Sequence, residues 1–463
     1  MEAITSSQSI PGPKSALGWR MNLFHFFRRP LLYQRWLHQT FGNVVAMRQG
    51  DKPSHVFAFG ADYNRQILTN PDFFEVSTSL LNLPKDTVMG EMFYNNLLLM
   101  RGEKHKQHRR LMMPAFHQQQ IERYSTDMVN LTRQLAAEWR NKEEIELNHE
   151  MKKLTQRIAV KTLFGVYDEA RLERMGDQIA RLTKSLLLAS LAPVDIPLTP
   201  YHRALHLARE LHADICAIIA EKQRTPETDV LSTLIHAHDE DGSRLTEAEL
   251  IGHSFTLFVA GHETTANALT WSLFLLSQHP ETLYQLTEEL EGALGGDVTT
   301  LAKVMKLPVL EGVVKESLRL LPPAGIGTRR TAAPCALGTY DIPENTNVFF
   351  SQMITHRIPD LYREPDRFRP ERWQTIKPTP YEFLPFSAGM HMCIGWNFAM
   401  QEMKLVLAVL LQHYRFSVVP HAKITPNIQM RPVHGMPVRL LPPSSAIERS
   451  PVRGTIRQMI DLN

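Results

Sequence analysis

The most informative stretch of this chain reads Phe386-Ser-Ala-Gly389-Met-His391-Met-Cys393-Ile-Gly395. It places one cysteine between two glycines, and Trp396-Asn-Phe398-Ala399 follows in a pattern that predicts the start of a helix. Glycine has no Cβ, so the backbone can turn tightly and bring a flat ligand close to the sulfur. A thiolate at a helix N-terminus is stabilised by the helix dipole and by amide N–H groups, which also tune the potential of a bound metal. The alternative interpretation is a buried free cysteine.

This stretch resembles the haem-binding loop of the cytochrome P450 family, Phe-x-x-Gly-x-(Arg/His)-x-Cys-x-Gly. Three further family signatures occur in the family's order, so the resemblance covers the chain from about residue 11 to about residue 442. It implies that Cys393 is the thiolate ligand of haem b iron and that His391 reaches a haem propionate. It also implies that Phe386 packs beside the sulfur, with Gly389 and Gly395 shaping the loop around the cofactor.

The second signature is Ala260-Gly261-His262-Glu263-Thr264-Thr265, midway along a predicted long helix. Thr246-Glu-Ala-Glu249 reads as a capping box, and the helix should run to about residue 279, before a proline. A glycine and two threonines are poor helix formers, so a local bulge is expected. The resemblance implies that Thr264 hydrogen-bonds dioxygen, that Glu263 supplies protons through water, and that Ala260 adjoins the haem. The alternative is a helix defect with a surface glutamate.

The third signature pairs Glu316-Ser-Leu-Arg319 with Phe368-Arg-Pro-Glu371-Arg372. Alone, a carboxylate and a guanidinium three residues apart are common on helices and contribute only ~0.2–0.5 kcal/mol. Together the two segments resemble the family's Glu-x-x-Arg and Pro-Glu-Arg elements. The resemblance implies a structural triad of Glu316, Arg319 and Arg372, which locks the segment that holds the cysteine loop.

Haem propionates need cationic partners, and guanidinium matches their geometry best. The segment His105-Lys-Gln-His-Arg109 resembles the family's C-helix pair, with His105 where many members carry Trp. Arg329 is the third candidate, and the neighbouring Arg330 is its alternative. A solvated basic face is the other interpretation of residues 101–110, and it should hold for Lys104, Lys106 and Arg110. These three, with Arg101, form the predicted docking surface for an acidic electron donor.

Composition limits the function classes further. The chain has 463 residues, 43% of them apolar, and a formal net charge of +3, which is too small to indicate a nucleic-acid partner. Three widely spaced cysteines form no disulfide framework and favour a reducing compartment. No apolar run is long enough for a transmembrane anchor, and no signal peptide is visible. These features predict a soluble, cytoplasmic, prokaryotic protein. Residues 21–36 could touch a membrane surface but are better explained as an ordinary first helix with Pro30 at its start.

The predicted fold is mainly α with small β-sheets, the triangular prism of the family with a long central helix over haem. We expect one domain at residues 14–442, an N-terminal tail at 1–13 and a loose C-terminal tail at 443–463. Alternation predicts paired strands at 43–47 and 55–60, and a second small sheet from 339–342 and 347–354.

The resemblance implies a monooxygenase that inserts one oxygen atom from O₂ into a hydrophobic substrate (terpenoid, fatty acyl or polyketide-like). A monomer is expected, with electrons from a ferredoxin or flavodoxin and its NAD(P)H-dependent reductase. Glycines at 325 and 327 suggest a roomy pocket, whose candidate residues are Phe255, Phe258, Val259, Ala324, Gly325 and Ile326. The rivals are a peroxygenase or isomerase on the same scaffold and a non-catalytic haem-thiolate sensor or binding protein.

Overall fold

The fold is described from a computed structural model, which describes residues 9–14, 19–50, 53–77, 83–166, 168–295 and 301–462. Helices dominate it, and they are α1 Trp19–Arg28, α2 Pro30–Phe41, α3 Ala61–Thr69, α4 Val88–Tyr94, α5 Gly102–Met112, α6 Gln118–Glu138, α7 Leu147–Phe164, α8 Glu169–Leu191, α9 Pro200–Arg224, α10 Val230–His236, α11 Glu247–Gln278, α12 Pro280–Leu294, α13 Leu301–Val304, α14 Pro308–Leu320, α15 Gln352–Thr355 and α16 Trp396–His413. The strands are β1 Val44–Ala46, β2 His55–Ala58, β3 Phe74–Glu75, β4 Glu144–Glu146, β5 Ile326–Thr331, β6 Cys335–Leu337, β7 Tyr340–Ile342, β8 Asn347–Ser351, β9 Arg415–Val418 and β10 Pro437–Leu441. The predicted mainly α fold is confirmed.

The central helix α11 begins and ends where the sequence predicts. Thr246 caps it by accepting a hydrogen bond from the Glu249 amide, and the Glu249 carboxylate accepts one from the Thr246 amide at 3.0 Å. At 1.5 Å per residue this helix spans about 48 Å. The bulge expected near Gly261 is not present, because residues 247–278 form an unbroken α-helix. The Thr264 hydroxyl donates to the Ala260 carbonyl at 2.6 Å without breaking the helical ladder.

Three sheets lie beside the helices. The largest has the strand order β1-β2-β8-β5-β3, and its antiparallel β1–β2 pair is the predicted one. The prediction that 347–354 belongs to a second sheet is wrong, since β8 pairs in parallel with β2 in the first sheet. Only β6 and β7 form the small separate hairpin, while β4, β10 and β9 form the third sheet.

Both chain ends pack more closely than predicted. Residues 443–462 are not a loose tail, because Ile456 and Ile460 are buried in the main core. The Met459 carbonyl also accepts a hydrogen bond from Arg357 at 3.2 Å. Near the N-terminus Ile10 is buried, whereas residues 1–8 lie outside the described part of the chain. Pro30 does begin a helix, as predicted, but a separate helix α1 precedes it. Among the described residues, no helix has the length and apolar character needed to cross a membrane.

Candidate active site

The cysteine loop connects a turn at residue 386 with the start of α16. The Cys393 amide donates to the Phe386 carbonyl at 2.9 Å, which closes the loop. Gly389 has φ +71°, and a Cβ there would lie 2.3 Å from the Leu68 carbonyl oxygen, so only glycine fits. Burial raises the pKa of the Cys393 thiol, while the amide of Gly395 and the charge of Arg109 act to lower it.

The Cys393 side chain faces an internal cavity of about 330 Å³. The thiol is accessible to a water-sized probe, and yet its pKa is raised by surrounding protein. Both observations hold because the sulfur lines the cavity and not the outer surface. Phe386, Gly395, Ala260 and Thr264 line the same cavity, so the cysteine loop and α11 share it.

Cationic and imidazole side chains border the cavity. His105, Arg109 and His391 line it, and Arg109 donates from Nη1 to the Met392 carbonyl at 2.7 Å, which ties α5 to the cysteine loop. The rings of His105 and His391 lie 4.0 Å apart, centroid to centroid. Nδ1 of His105 is buried without a hydrogen-bond partner. Burial lowers the pKa of His105 to about 4 and that of His391 to about 3, so both rings are neutral at pH 7.

Arg329 and Arg330 point to opposite faces of β5. The Arg329 side chain is buried, lies 5.5 Å from the Phe350 ring centroid, and acts electrostatically on His391. Burial lowers its pKa to about 10, and no carboxylate of the described residues forms an ion pair with it. Arg330 is exposed and donates to the Asn345 side chain at 2.7 Å. Of the two alternatives, Arg329 is therefore the inward-facing side chain.

Thr264 and Glu263 occupy different surroundings. Thr264 lines the cavity, whereas Glu263 points toward α7 and accepts a hydrogen bond from Lys152 Nζ at 2.6 Å. Burial acts to raise the pKa of Glu263, but the hydrogen bond and charge of Lys152 outweigh it and lower that pKa below its usual value. Glu263 is therefore ionised at neutral pH and paired with the Lys152 ammonium group.

Glu316 is the centre of a buried ion-pair network. It accepts two hydrogen bonds from Arg319 at 2.8 and 2.9 Å and one from Arg372 Nε at 3.0 Å. Two more come from the Trp373 indole and the Arg369 amide, each at 3.0 Å. The side chains of Glu316 and Arg319 have no exposed surface. The three predicted residues lie together, and the network joins α14 to the segment that leads toward the cysteine loop.

Most of the predicted pocket residues do not line the cavity. On α11 the lining side chains recur three and four residues apart, and they are His253, Thr256, Leu257, Ala260, Gly261, Thr264, Thr265 and Ala268. Phe255 and Phe258 fall on other faces of the helix and pack against Phe93 and Phe164. Val259 likewise packs against the main core.

Of the predicted residues after α14, only Ala324 lines the cavity. A Cβ on Gly325 would lie 2.2 Å from the Met353 side chain, and one on Gly327 would lie 1.9 Å from the Phe350 ring. Gly325 therefore makes room for the Met353 side chain on α15, and Gly327 makes room for the Phe350 ring on β8, and neither widens a substrate pocket. Ile326 is a partly buried core residue.

Several residues at this site are not among those predicted from the sequence. Lys152 is 111 residues from Glu263, and the cavity-lining residues Leu97, His253 and Gln352 come from three separate segments. No local motif marks them. Only the 3.6-residue period on α11, counted back from Thr264, could have indicated His253.

A lone cysteine on a glycine-flanked loop, beside the central helix of a mainly α-helical fold, is the arrangement of haem-thiolate oxidoreductases. The chain belongs to the cytochrome P450 family, because the family model described as "Cytochrome P450" matches residues 11–441. It is a cytochrome P450 monooxygenase whose family cofactor is haem iron.

Named relatives and a solved structure support this assignment. The chain is 32% identical over 424 residues to cyclooctat-9-en-7-ol 5-monooxygenase of Streptomyces melanosporofaciens, covering 89% of this chain and 90% of the relative. It is 32% identical over 445 residues to pentalenene oxygenase of Streptomyces avermitilis, covering 93% and 96%. The structure of retinoic acid-bound cyanobacterial CYP120A1 superposes with a TM-score of 0.80 at 26% identity, covering 94% of this chain and 100% of that one.

The residues around the cavity fit a haem. The accessible Cys393 sulfur offers a soft ligand for iron, and the cavity extends from it to α11. His105 Nδ1, which has no hydrogen-bond partner among the described residues, and the buried Arg329, whose Nη1 donates to the Thr328 carbonyl at 2.8 Å, can each hydrogen-bond a carboxylate, as two propionates require. Arg109 and His391 supply further donors at the same border.

Proposed function

We propose that this chain binds haem b through Cys393 and oxygenates a terpenoid-type substrate, with electrons from a ferredoxin or flavodoxin and its NAD(P)H-dependent reductase. The observation that carries the proposal is the convergence of a thiol, the Arg109 guanidinium, the imidazoles of His105 and His391 and a threonine hydroxyl on one cavity. Its other walls are largely apolar, formed by residues that include Leu97, Leu98, Leu163, Leu257 and Ala268. The names of the two relatives above, for a terpene and a terpene alcohol, favour this substrate class over fatty acyl or polyketide-like compounds.

In this proposal the haem, the apolar side chains and the polar residues around the cavity have different roles. When bound, haem would supply the redox chemistry that inserts one atom of O₂ into a C–H bond, while two electrons from the donor and two protons convert the other atom to water. The apolar side chains bind the hydrocarbon and exclude water. Thr264 Oγ1 can exchange its bond to the Ala260 carbonyl for one to a ligand or a water molecule. The Glu263–Lys152 pair, whose side chains are 30% and 25% exposed, would relay protons from solvent toward that helix turn.

Two measurements test the proposal against its rivals. A ferrous–CO difference spectrum reports thiolate ligation. Turnover with NADPH, a surrogate ferredoxin and its reductase then separates a monooxygenase from a peroxygenase, which would need only hydrogen peroxide. Ligand-induced spectral shifts over a library of terpenoids (pentalenene among them), fatty acids and polyketides identify the substrate class. A protein with the thiolate spectrum and no turnover of any spectral ligand would be a binding protein instead.

Thr264→Ala is expected to uncouple the enzyme more than it weakens substrate binding. The hydroxyl is proposed to organise protons and not to hold the substrate, so electrons should be diverted to peroxide. Product formed per NADPH consumed should fall several-fold, while the dissociation constant of a spectral ligand changes little. Thr264→Ser keeps the hydroxyl and serves as the control. Equal coupling in the alanine and serine variants would contradict the assigned role.

The electron donor is proposed to dock beside the cysteine loop, on the exposed face of α5. All four basic residues of the predicted docking surface are paired with carboxylates, and this affects which of them can be substituted without disturbing its partner. The pairs are Arg101–Glu75, Lys104–Glu249, Lys106–Glu103 and Arg110–Asp239. Lys104, Lys106 and Arg110 face water, as predicted, but their charges are locally compensated.

Charge reversal at Lys106 is expected to slow reduction by the donor. Its partner Glu103 is 88% exposed, so the substitution disturbs little else, whereas Lys104→Glu would also disturb the buried contacts of Glu249. The association rate should fall most at low ionic strength, with substrate affinity unchanged. Lys184→Glu, on the exposed face of α8, is the control. Identical reduction kinetics in both variants would place the docking surface elsewhere.

A further inference from the structure

A chain of three polar contacts, two of them hydrogen bonds, lies beside the cavity. The Leu97 amide donates to His253 Nδ1 at 3.3 Å, and His253 Nε2 lies 2.9 Å from His108 Nδ1. His108 Nε2 lies 3.4 Å from a carboxylate oxygen of Glu249. Both histidine side chains are buried, and Glu249 is 12% exposed at the outer end. We call Glu249, His108 and His253 the His253 relay.

The Leu97 amide determines which ring nitrogen of His253 and of His108 carries the proton. An amide N–H can only donate, so His253 Nδ1 must be unprotonated and its Nε2 must carry the proton. His253 then donates to His108 Nδ1, so His108 carries its own proton on Nε2, the atom that lies 3.4 Å from Glu249. Burial lowers the pKa of both histidines, of His253 to about 3, so the two rings are neutral. Burial acts to raise the pKa of Glu249, yet its bonds to Thr246 and Lys104 hold it at about 2.

Because the donor and the acceptor of each contact are fixed, the His253 relay stabilises the local structure and does not conduct protons. Reversing the direction would put a proton on His253 Nδ1, facing the Leu97 N–H, and would break that bond. The relay therefore holds one tautomer of each ring between an ionised carboxylate and a main-chain amide. Such a satisfied buried network specifies a single geometry.

The relay joins three segments that border the cavity. His253 lies on the cavity-lining face of α11, and Leu97 and Leu98 line the cavity from the segment between α4 and α5. His108 lies on α5, the helix that also carries Arg109. The approach is close, because a Cβ on Gly252 would lie 2.2 Å from the Asn95 carbonyl oxygen. The backbone at residues 95–98 is thus held directly against α11.

We propose that His253 is a positioning residue that fixes the Leu97–Leu98 wall and so sets which ligand sizes the cavity accepts. His108 and Glu249 keep His253 in the tautomer that accepts from Leu97. The inference rests on the proposed function only in treating this wall as part of the substrate cavity. A purely structural histidine pair would affect folding without changing discrimination between ligands.

Three substitutions, two at residue 253 and one at residue 108, separate these roles. His253→Asn places an amide oxygen near the position of Nδ1 and can keep the bond from Leu97, while it loses the contact with His108. His253→Leu has a similar volume and keeps neither bond. His108→Leu leaves His253 in place but removes the group that fixes its tautomer. Haem content and melting temperature of each variant show whether the fold is intact.

Hydrogen exchange of the holoenzyme tests the tether itself. In peptides that cover residues 95–101, exchange at Leu97 should be about tenfold faster in His253→Leu than in the unsubstituted protein, because one buried hydrogen bond is lost. His253→Asn should restore most of the protection, and His108→Leu should lie between them. Equal protection in His253→Leu and the unsubstituted protein would overturn the proposal, as would equally fast exchange in the asparagine and leucine variants.

Binding of two azoles tests the consequence for the cavity. Imidazole and bifonazole both bind haem iron through nitrogen, but only bifonazole is large enough to press on the wall. His253→Leu should change the bifonazole dissociation constant about tenfold and leave that of imidazole unchanged, with recovery in His253→Asn. If the dissociation constants of both azoles changed by the same factor, or if that of bifonazole did not change, the proposed role of His253 in size selection would be overturned. Neither experiment requires turnover, so both remain decisive if the proposed substrate class is wrong.

Discussion

The Cys393→Ser variant is expected to lose the thiolate-type Soret band of its ferrous–CO complex, because only a coordinated thiolate gives that spectrum. The loop should keep its shape, since its closing hydrogen bond to the Phe386 carbonyl uses the main-chain amide of residue 393. A serine hydroxyl also fits the cavity that the thiol lines. The measurement is the CO difference spectrum of the variant, normalised to its haem content and compared with the unsubstituted protein.

The other two cysteines provide matched controls. Cys216 lies on α9, near His212, and Cys335 lies on β6 in the small hairpin, and neither lines the cavity. Burial raises the pKa of both thiols, so both are protonated at neutral pH. Cys216→Ser and Cys335→Ser should therefore keep the full band. A persistent band in Cys393→Ser would contradict the ligand assignment and point to one of these residues.

The features predicted most accurately from the sequence are those that depend on residues close together in the chain. The cap of α11 depends on two residues three apart, and the strands β1 and β2 are adjacent in the chain, so local patterns located them. The family motif likewise named Glu316, Arg319 and Arg372. It did not reveal that Trp373 and a main-chain amide complete the network, because the 3₁₀ turn at residues 370–374 sets their orientation.

The errors arose where tertiary packing decides the outcome. Phe255 and Phe258 are among the predicted pocket residues, although the period counted from Thr264 places them on other faces of α11. Gly325 was interpreted as space for substrate, but the Met353 side chain fills that space. The pairing of Glu263 with Lys152 was not predicted, because it joins helices far apart in sequence. No single-sequence pattern carries such long-range contacts.

Glu316→Ala is expected to yield little folded, haem-loaded protein. The Glu316 carboxylate accepts five hydrogen bonds, three of them from the guanidinium groups of Arg319 and Arg372. Its removal leaves two buried cations without their counter-ion, which typically costs ~3–5 kcal/mol. Most proteins are stable by only ~5–15 kcal/mol, so the loss is a large fraction of the total. Haem content per polypeptide and the denaturant midpoint measure the effect.

The exposed Glu371 is the matched control, since it lies next to Arg372 in the 3₁₀ turn at residues 370–374 and is 57% exposed. Its ion pair with Arg369 is partly solvated, and such pairs contribute ~0–1 kcal/mol. Glu371→Ala should therefore bind haem normally and unfold near the unsubstituted midpoint. Glu316→Gln should be intermediate or worse, because its amide nitrogen would face guanidinium or indole donors at positions where the carboxylate accepts. If Glu316→Ala matched Glu371→Ala in haem content and midpoint, the network would contribute no more than a surface contact. The segment that leads to the cysteine loop would then have to be held by its packing alone.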